Sequence, residues 1–298
     1  MENFILRSHK SKLSLEHIMH IIFLVCGLVA VISVLLISLY MIISGGPAIA
    51  RIGVLNFLFG KVWNPDTSQF GIFPLILSSI FATSIAIVVA VPVGLFTAIF
   101  LTYIANNKIS SAFLSIVELL AGIPSVVYGL LGAILIVPII FKIQTMFSLP
   151  TGGSLATASI VLIIMILPTI ISVSVAAIKA VPKQYYEAAL ALGSSKLESV
   201  FRVCIPAAKS GIAAGIVLGV GRAIGETMAV MMVAGNAAIM PELLKPVRFL
   251  TVGISMEWAY SSGQHRQALY GIGLVLFVFI MIINTILSVV LKKGNIKK

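Results

Sequence analysis

Charge is scarce in this sequence, and acidic charge scarcest: nine Asp and Glu stand against 20 Lys and Arg, and charged residues make up 10% of the 298. A soluble domain carries roughly 25% charged residues. With 60% apolar residues and a mean hydropathy of +1.16, a soluble globular chain is excluded. Cysteine is nearly absent as well: Cys26 and Cys204 offer no disulfide framework. His9, His17, His20 and His265 form no H-x-x-x-H ligand pattern, so neither a metal nor another resident cofactor is expected. The chain also lacks a G-x-x-x-x-G-K-[ST] phosphate loop; any ATP and Mg that drive it are expected on a partner, and the chain itself is not expected to be an enzyme. No polar stretch is long enough for a second folded domain.

What is present is hydrophobic length. About 20 apolar residues at ~1.5 Å each cross a bilayer, and runs at 21–43, 72–104, 112–141, 155–178, 207–234 and 269–291 reach that length. In lipid the backbone must satisfy its own hydrogen bonds, so each run is read as a helix and the fold as an all-α integral membrane bundle of six transmembrane helices. Pro92, Pro124 and Pro168 lie inside runs and predict kinks. With the N-terminus inside, the inward segments hold 13 of the 20 basic residues and the outward segments six, which selects an N-in/C-in orientation. The net charge of +11 then reflects topology and anionic lipid of the bilayer, not a nucleic-acid partner. Residues 1–20 read as a cytoplasmic tail and 292–298 as a basic cytoplasmic tail. The apolar run at 21–43 is longer than the roughly 7–15 residues of a cleaved signal and reads as a signal anchor.

The largest inward segment, 179–206, contains "VPKQYYEAALALGSSKLESVFRVCIP". Pro182 suits the first turn of a helix that continues to Leu192, and Gly193 suits a left-handed C′ position that ends it. Ser195 and Glu198 have capping-box spacing and predict a second short helix running to Pro206. The string "EAALALG" followed by "VCIP" resembles the EAA loop of ABC importer permeases, with Glu187, Ala188, Ala189, Gly193 and Pro206 at matching positions. "FGIFPLILSSI", "ELLAGIPSVVYGLLG", "LPTIISVSVAAIKAVP" and "GRAIGETMAVMMVAGN" are similar to strings of the phosphate-specific permeases of that class, the last to the PstC type.

The resemblance implies a permease domain over 71–291, in a multi-pass protein of a bacterial plasma (inner) membrane. It implies a coupling helix for a separate ABC-type ATPase dimer, a homologous second permease subunit and an extracytoplasmic phosphate-binding protein. Small side chains at 188, 189 and 193 would permit close approach of the ATPase, with Glu187 bonding in the joint. The sister permease of the same system, or a permease for sulfate or molybdate, fits the same architecture. An ion-coupled secondary transporter using Arg222 and Glu226 is the alternative from another class.

Charge within a span is the remaining signal. "GVGRAIGETMAV" places Arg222 and Glu226 in the fifth run, where an arginine costs roughly 2.5–3.5 kcal/mol. Glu226, one turn further on the same face, is expected to offset part of that cost as an i,i+4 partner. A self-neutralising pair that only fixes packing is one reading. The other is a polar pathway in which Arg222 binds a passing oxyanion and Glu226 orients it, with Thr227, Thr169, Ser125, Ser172 and Ser174 as lesser donors. Hydroxyls in membrane helices often bond their own backbone instead. Gly211, Gly215 and Gly219 recur every four residues and predict close helix packing, and Gly221 with Gly225 repeats the spacing on another face. Glu118 reads as structural, near the start of the third span where a helix N-terminus stabilises it. Trp63, Trp258 and Tyr260 read as interfacial anchors.

Overall fold

In the computed structural model the backbone is described for residues 2–295, and side chains for residues 16, 18–286 and 289. The side chains of His9, His17 and the basic residues Arg7, Lys10, Lys12, Lys292 and Lys293 lie outside the described residues, as do Lys297 and Lys298 altogether. Six helices among the described residues are long and apolar enough to span a bilayer: Ile18–Ile52, Phe73–Ile104, Ser125–Met146, Leu155–Lys179, Lys196–Gly225 and Gly263–Ile286. The first lies within α1 (Glu2–Ile52), which continues well beyond both ends of the expected anchor. A short α2 (Val54–Phe59) and a two-stranded hairpin, β1 (Trp63–Asn64) paired antiparallel with β2 (Gln69–Phe70), lead into α3 (Phe73–Ile99). Both Pro92 and Pro168 lie inside continuous helices.

The third run departs from expectation. Residues 112–141 do not form one helix. α4 (Asn107–Ala121), capped by the Asn106 side chain on Ile109 N–H at 2.8 Å, ends before Gly122–Pro124. The span proper starts at α5 (Ser125–Leu131), continues through a wide π-type turn at Gly132–Ile136, and finishes as α6 (Val137–Met146). Pro124 therefore separates two helices instead of kinking one, because its ring and missing N–H oppose helix continuation. Tyr128 bridges the gap by donating to the Leu120 carbonyl at 2.7 Å. Glu118 sits in the last turn of α4, so the expected N-terminal dipole stabilisation does not apply to it.

α7 (Leu155–Lys179) is the axis of the bundle: half of its most apolar stretch is buried, whereas α1 buries none of its own. In lipid, burial of apolar side chains adds little driving force, so close approach of small residues decides packing. A Cβ on Gly211 would stand 2.5 Å from Ala177 Cβ, one on Gly215 3.1 Å from Val173, and one on Gly219 3.0 Å from Ile170. That glycine stripe, expected from its spacing, seats α10 (Ile205–Gly225) on α7. The second stripe does not: Cβ atoms on Gly221 and Gly225 would meet nothing within 4 Å.

Between α7 and α10 lie α8 (Lys183–Ala191) and α9 (Lys196–Ser199). Gly193 has φ +89°, as its C′ position requires, and Ser195 Oγ accepts from Glu198 N–H at 3.3 Å. The second helix does not stop at Pro206, however. It passes through a wide turn at Val200–Cys204 directly into α10, whose second residue is Pro206. The fifth span ends early, at Gly225, and α11 (Met228–Val233) follows as a separate helix. α12 (Leu250–Glu257) and the long α13 (Gly263–Asn295) complete the chain.

Candidate functional site: a broken helix around Arg222

The break at Glu226–Thr227 organises the site. Glu226 caps α10 with an extended backbone (φ −68°, ψ 133°), so it is not one turn further along the same helix as Arg222. The expected i,i+4 pairing is overturned, and Arg222 and Glu226 form no ion pair. The Glu226 carboxylate instead accepts the Ala229 N–H at 2.9 Å, satisfying an otherwise orphaned donor at the start of α11. Its carbonyl accepts the Thr251 hydroxyl at 2.7 Å. Glu226 is 9% exposed, and both its backbone and its side chain hold the break.

Arg222 is half-buried in the last turn of α10 and donates from Nη1 to Thr169 Oγ1 of α7 at 3.2 Å. Thr169 follows Pro168 and points its hydroxyl across the helix interface instead of back at its own backbone. Thr227 takes the opposite course and donates to the Gly225 carbonyl at 3.3 Å, so it completes the break and has no free donor. Ser125 is half-buried at the first turn of α5. Three residues further along that helix, buried Tyr128 spends its hydroxyl on the Leu120 carbonyl across the Gly122–Pro124 break, a contact that sequence reasoning missed. Ser172 Oγ and Ser174 Oγ are buried without a hydrogen-bond partner. Thus the structure joins Arg222 to Thr169 and assigns Glu226 and Thr227 to the backbone. The result is a guanidinium inside an apolar bundle that is held by a neutral hydroxyl.

The bundle's other distinctive surface is the 179–206 turn. Glu187, Ala188 and Gly193 are exposed, and Leu192 is 88% exposed beside them. Ala189 is 6% exposed and packs into its own bundle, so it offers no close approach to a partner. Tyr186 packs on Tyr103 with ring centroids 5.4 Å apart, tying α8 to the wide turn at Phe100–Ile104 that ends α3. The Glu198–Arg202 pair, 2.9 Å long and exposed, contributes little beyond local helix support.

Residues 90–293 match the family described as binding-protein-dependent transport system inner membrane component. The chain belongs to that family. It is a multi-pass inner-membrane permease, a transport component and not an enzyme. The permease is 35% identical over 274 residues to the probable ABC transporter permease YqgH of Bacillus subtilis, covering 88% of each chain. It is 34% identical over 290 residues to the phosphate transport system permease PstC of Xylella fastidiosa (90% of this chain, 88% of the relative), and 36% identical over 248 residues to PstC of Pasteurella multocida (78% of each). Among solved structures it superposes on a bacterial ABC transporter involved in alginate import with a TM-score of 0.58 at 15% identity, covering 82% of this chain and 88% of that one. That likeness concerns the fold alone. Family membership does not favour the ion-coupled carrier.

Proposed function

We propose that this permease forms half of the translocation pathway of an ATP-driven inorganic phosphate importer, as the PstC-type subunit. The observation that carries the substrate class is Arg222: a positive charge within the bundle with no carboxylate paired to it among the described residues. A fold that needed only packing has no use for such a group, which costs roughly 2.5–3.5 kcal/mol in a membrane helix. A passing oxyanion supplies the missing negative charge. Arg222 presents planar donors to two phosphate oxygens, and the Thr169 hydroxyl holds the guanidinium in place from the other side. Because that anchor is a neutral hydroxyl, it restrains the side chain without competing electrostatically for the charge. Similarity to phosphate transport permeases over most of the chain favours phosphate over sulfate or molybdate and the PstC type over its sister.

In this reading the chain is N-in/C-in, so the 179–206 turn faces the cytoplasm and the hairpin faces outward. An ABC-type ATPase dimer, which binds ATP and Mg in place of this chain, docks against exposed Glu187, Ala188, Gly193 and Leu192. A homologous second permease completes the pathway, and an extracytoplasmic phosphate-binding protein delivers the anion. The test is reconstitution with candidate partner subunits and measurement of ATP-dependent uptake. Phosphate uptake that depends on ATP is expected. Uptake of sulfate or molybdate without phosphate would overturn the assignment.

A further inference from the structure

Far from the 179–206 turn, a buried carboxylate gathers three separate segments. Glu257, at the end of α12 and 7% exposed, accepts from Trp63 Nε1 of the hairpin at 2.9 Å, from His265 Nε2 in the first turn of α13 at 2.7 Å, and from Arg248 Nη1 in the loop before α12. A carboxylate only accepts, so the bond places a proton on His265 Nε2. The expectation of Trp63 as an interfacial anchor is thereby corrected: its indole is 8% exposed and serves this cluster.

The cluster is connected to the pathway from two directions. On one side Arg248 Nε donates to the Asn236 carbonyl at 2.9 Å, and Asn236 Nδ2 donates to the Met231 carbonyl at 2.8 Å. Met231 belongs to α11, whose first turn is held by the Glu226 carboxylate. On the other side, Thr251 in the first turn of α12 donates to the Glu226 carbonyl. Covalent helix and hydrogen bond together close a ring: Glu226, α11, Asn236, Arg248, Glu257, α12, Thr251 and back to Glu226. Buried ion pairs are often replaceable by apolar packing with no loss of stability, so stability alone does not call for this arrangement.

We propose that Glu257 is a positioning residue for transport: it locks the ring, and with it the α10–α11 break beside Arg222, to the hairpin and to α13. A displacement of either outer segment then reaches the Glu226 peptide through one carboxylate. This inference rests on the pathway reading of Arg222.

The experiment uses the reconstituted complex with Glu257→Gln, Thr251→Val, the double variant, and Arg222→Gln alongside. Glu257→Gln keeps volume and one acceptor oxygen but turns an NH2 group toward donors. Its maximal uptake rate should fall about tenfold while complex yield and the half-saturating phosphate concentration change less than about twofold, the signature of a step after binding. Thr251→Val opens the ring at its other end and should act through the same element, so the double variant should be no slower than the worse single. His265→Gln, which keeps a neutral donor, should retain more of the rate than His265→Leu. Losses that multiply in the double variant, losses that follow complex yield, or normal uptake by Glu257→Gln would each overturn the inference. If Arg222→Gln is inactive while Glu257→Gln is normal, only the positioning role fails; if Arg222→Gln transports normally, the pathway reading fails and this one with it.

Discussion

At the scale of single residues, the decisive fact is how Arg222 is held. A direct Glu226 pair would make the charge self-sufficient, and the double neutral variant Arg222→Gln/Glu226→Gln would then recover both assembly and uptake. Geometry predicts otherwise, because Glu226 accepts Ala229 N–H and forms no ion pair with the arginine. Arg222→Gln should leave the complex assembled and lower phosphate uptake roughly tenfold to a hundredfold, the range set by charge-assisted hydrogen bonds of about 1.5–3 kcal/mol. Arg222→Lys should rescue partly, since a point charge cannot reproduce the planar fork. Thr169→Val removes the hydroxyl at 3.2 Å and should produce a smaller loss. Adding Glu226→Gln to Arg222→Gln should not restore uptake; full recovery measured with reconstituted complex would return the pair to a purely structural role.

At the scale of elements, two glycines carry separable duties. Gly193 has φ +89° and nothing within 4 Å of its missing Cβ, so Gly193→Val strains the backbone without a clash, by ~1–2 kcal/mol. That strain should tilt α8 against α9 and reduce retention of the ATPase on copurification, whereas Gly193→Asn, which tolerates the left-handed region, should bind nearly normally. Unchanged retention by the valine variant would remove the docking role from this turn. Gly211 is the reverse case: its helix is ordinary, but a Cβ would lie 2.5 Å from Ala177 Cβ. Gly211→Ala should separate α10 from α7 and lower the melting temperature of the purified protein, and Ala177→Gly in the same chain should recover part of the loss. A melting temperature unmoved by Gly211→Ala would contradict the close packing of the two helices.

At the scale of the whole molecule, a labelling experiment reads the orientation of the bundle directly. Ser261 has a natural position for an outer reporter but is 2% exposed and donates to the Trp258 carbonyl at 3.0 Å, so exposed Ser262 is the better choice. In right-side-out vesicles, reporter cysteines at Ser68 and Ser262 should react with a membrane-impermeant thiol reagent and one at Ser195, exposed in the 179–206 turn, should not. The converse pattern would invert the bundle and place the ATPase dock on the wrong side of the membrane.

Composition and periodicity by themselves determined much of this protein. Scarce charge and six long apolar runs leave helices as the only open-chain way to satisfy backbone polar groups in lipid, so span number and class follow. Local chemistry determined the glycine bend and the helix start within the 179–206 turn, since a glycine C′ and a serine N-cap act within a few residues of themselves, but not where the second helix ends. What only the tertiary structure decided are the interruptions and the contacts between distant segments. The fifth apolar run reads on through 207–234 because Met228–Ala234, beyond Glu226 and Thr227, is again wholly apolar. The helix nevertheless ends there, as Thr251 takes the Glu226 carbonyl from 25 residues away and the Glu226 side chain caps the helix that follows. Likewise Trp63 and Glu257 meet across 194 residues. A pairing of that separation leaves no periodic trace in the chain; it exists because packing of α3, α12 and α13 brings two buried polar groups together where neither has water to turn to.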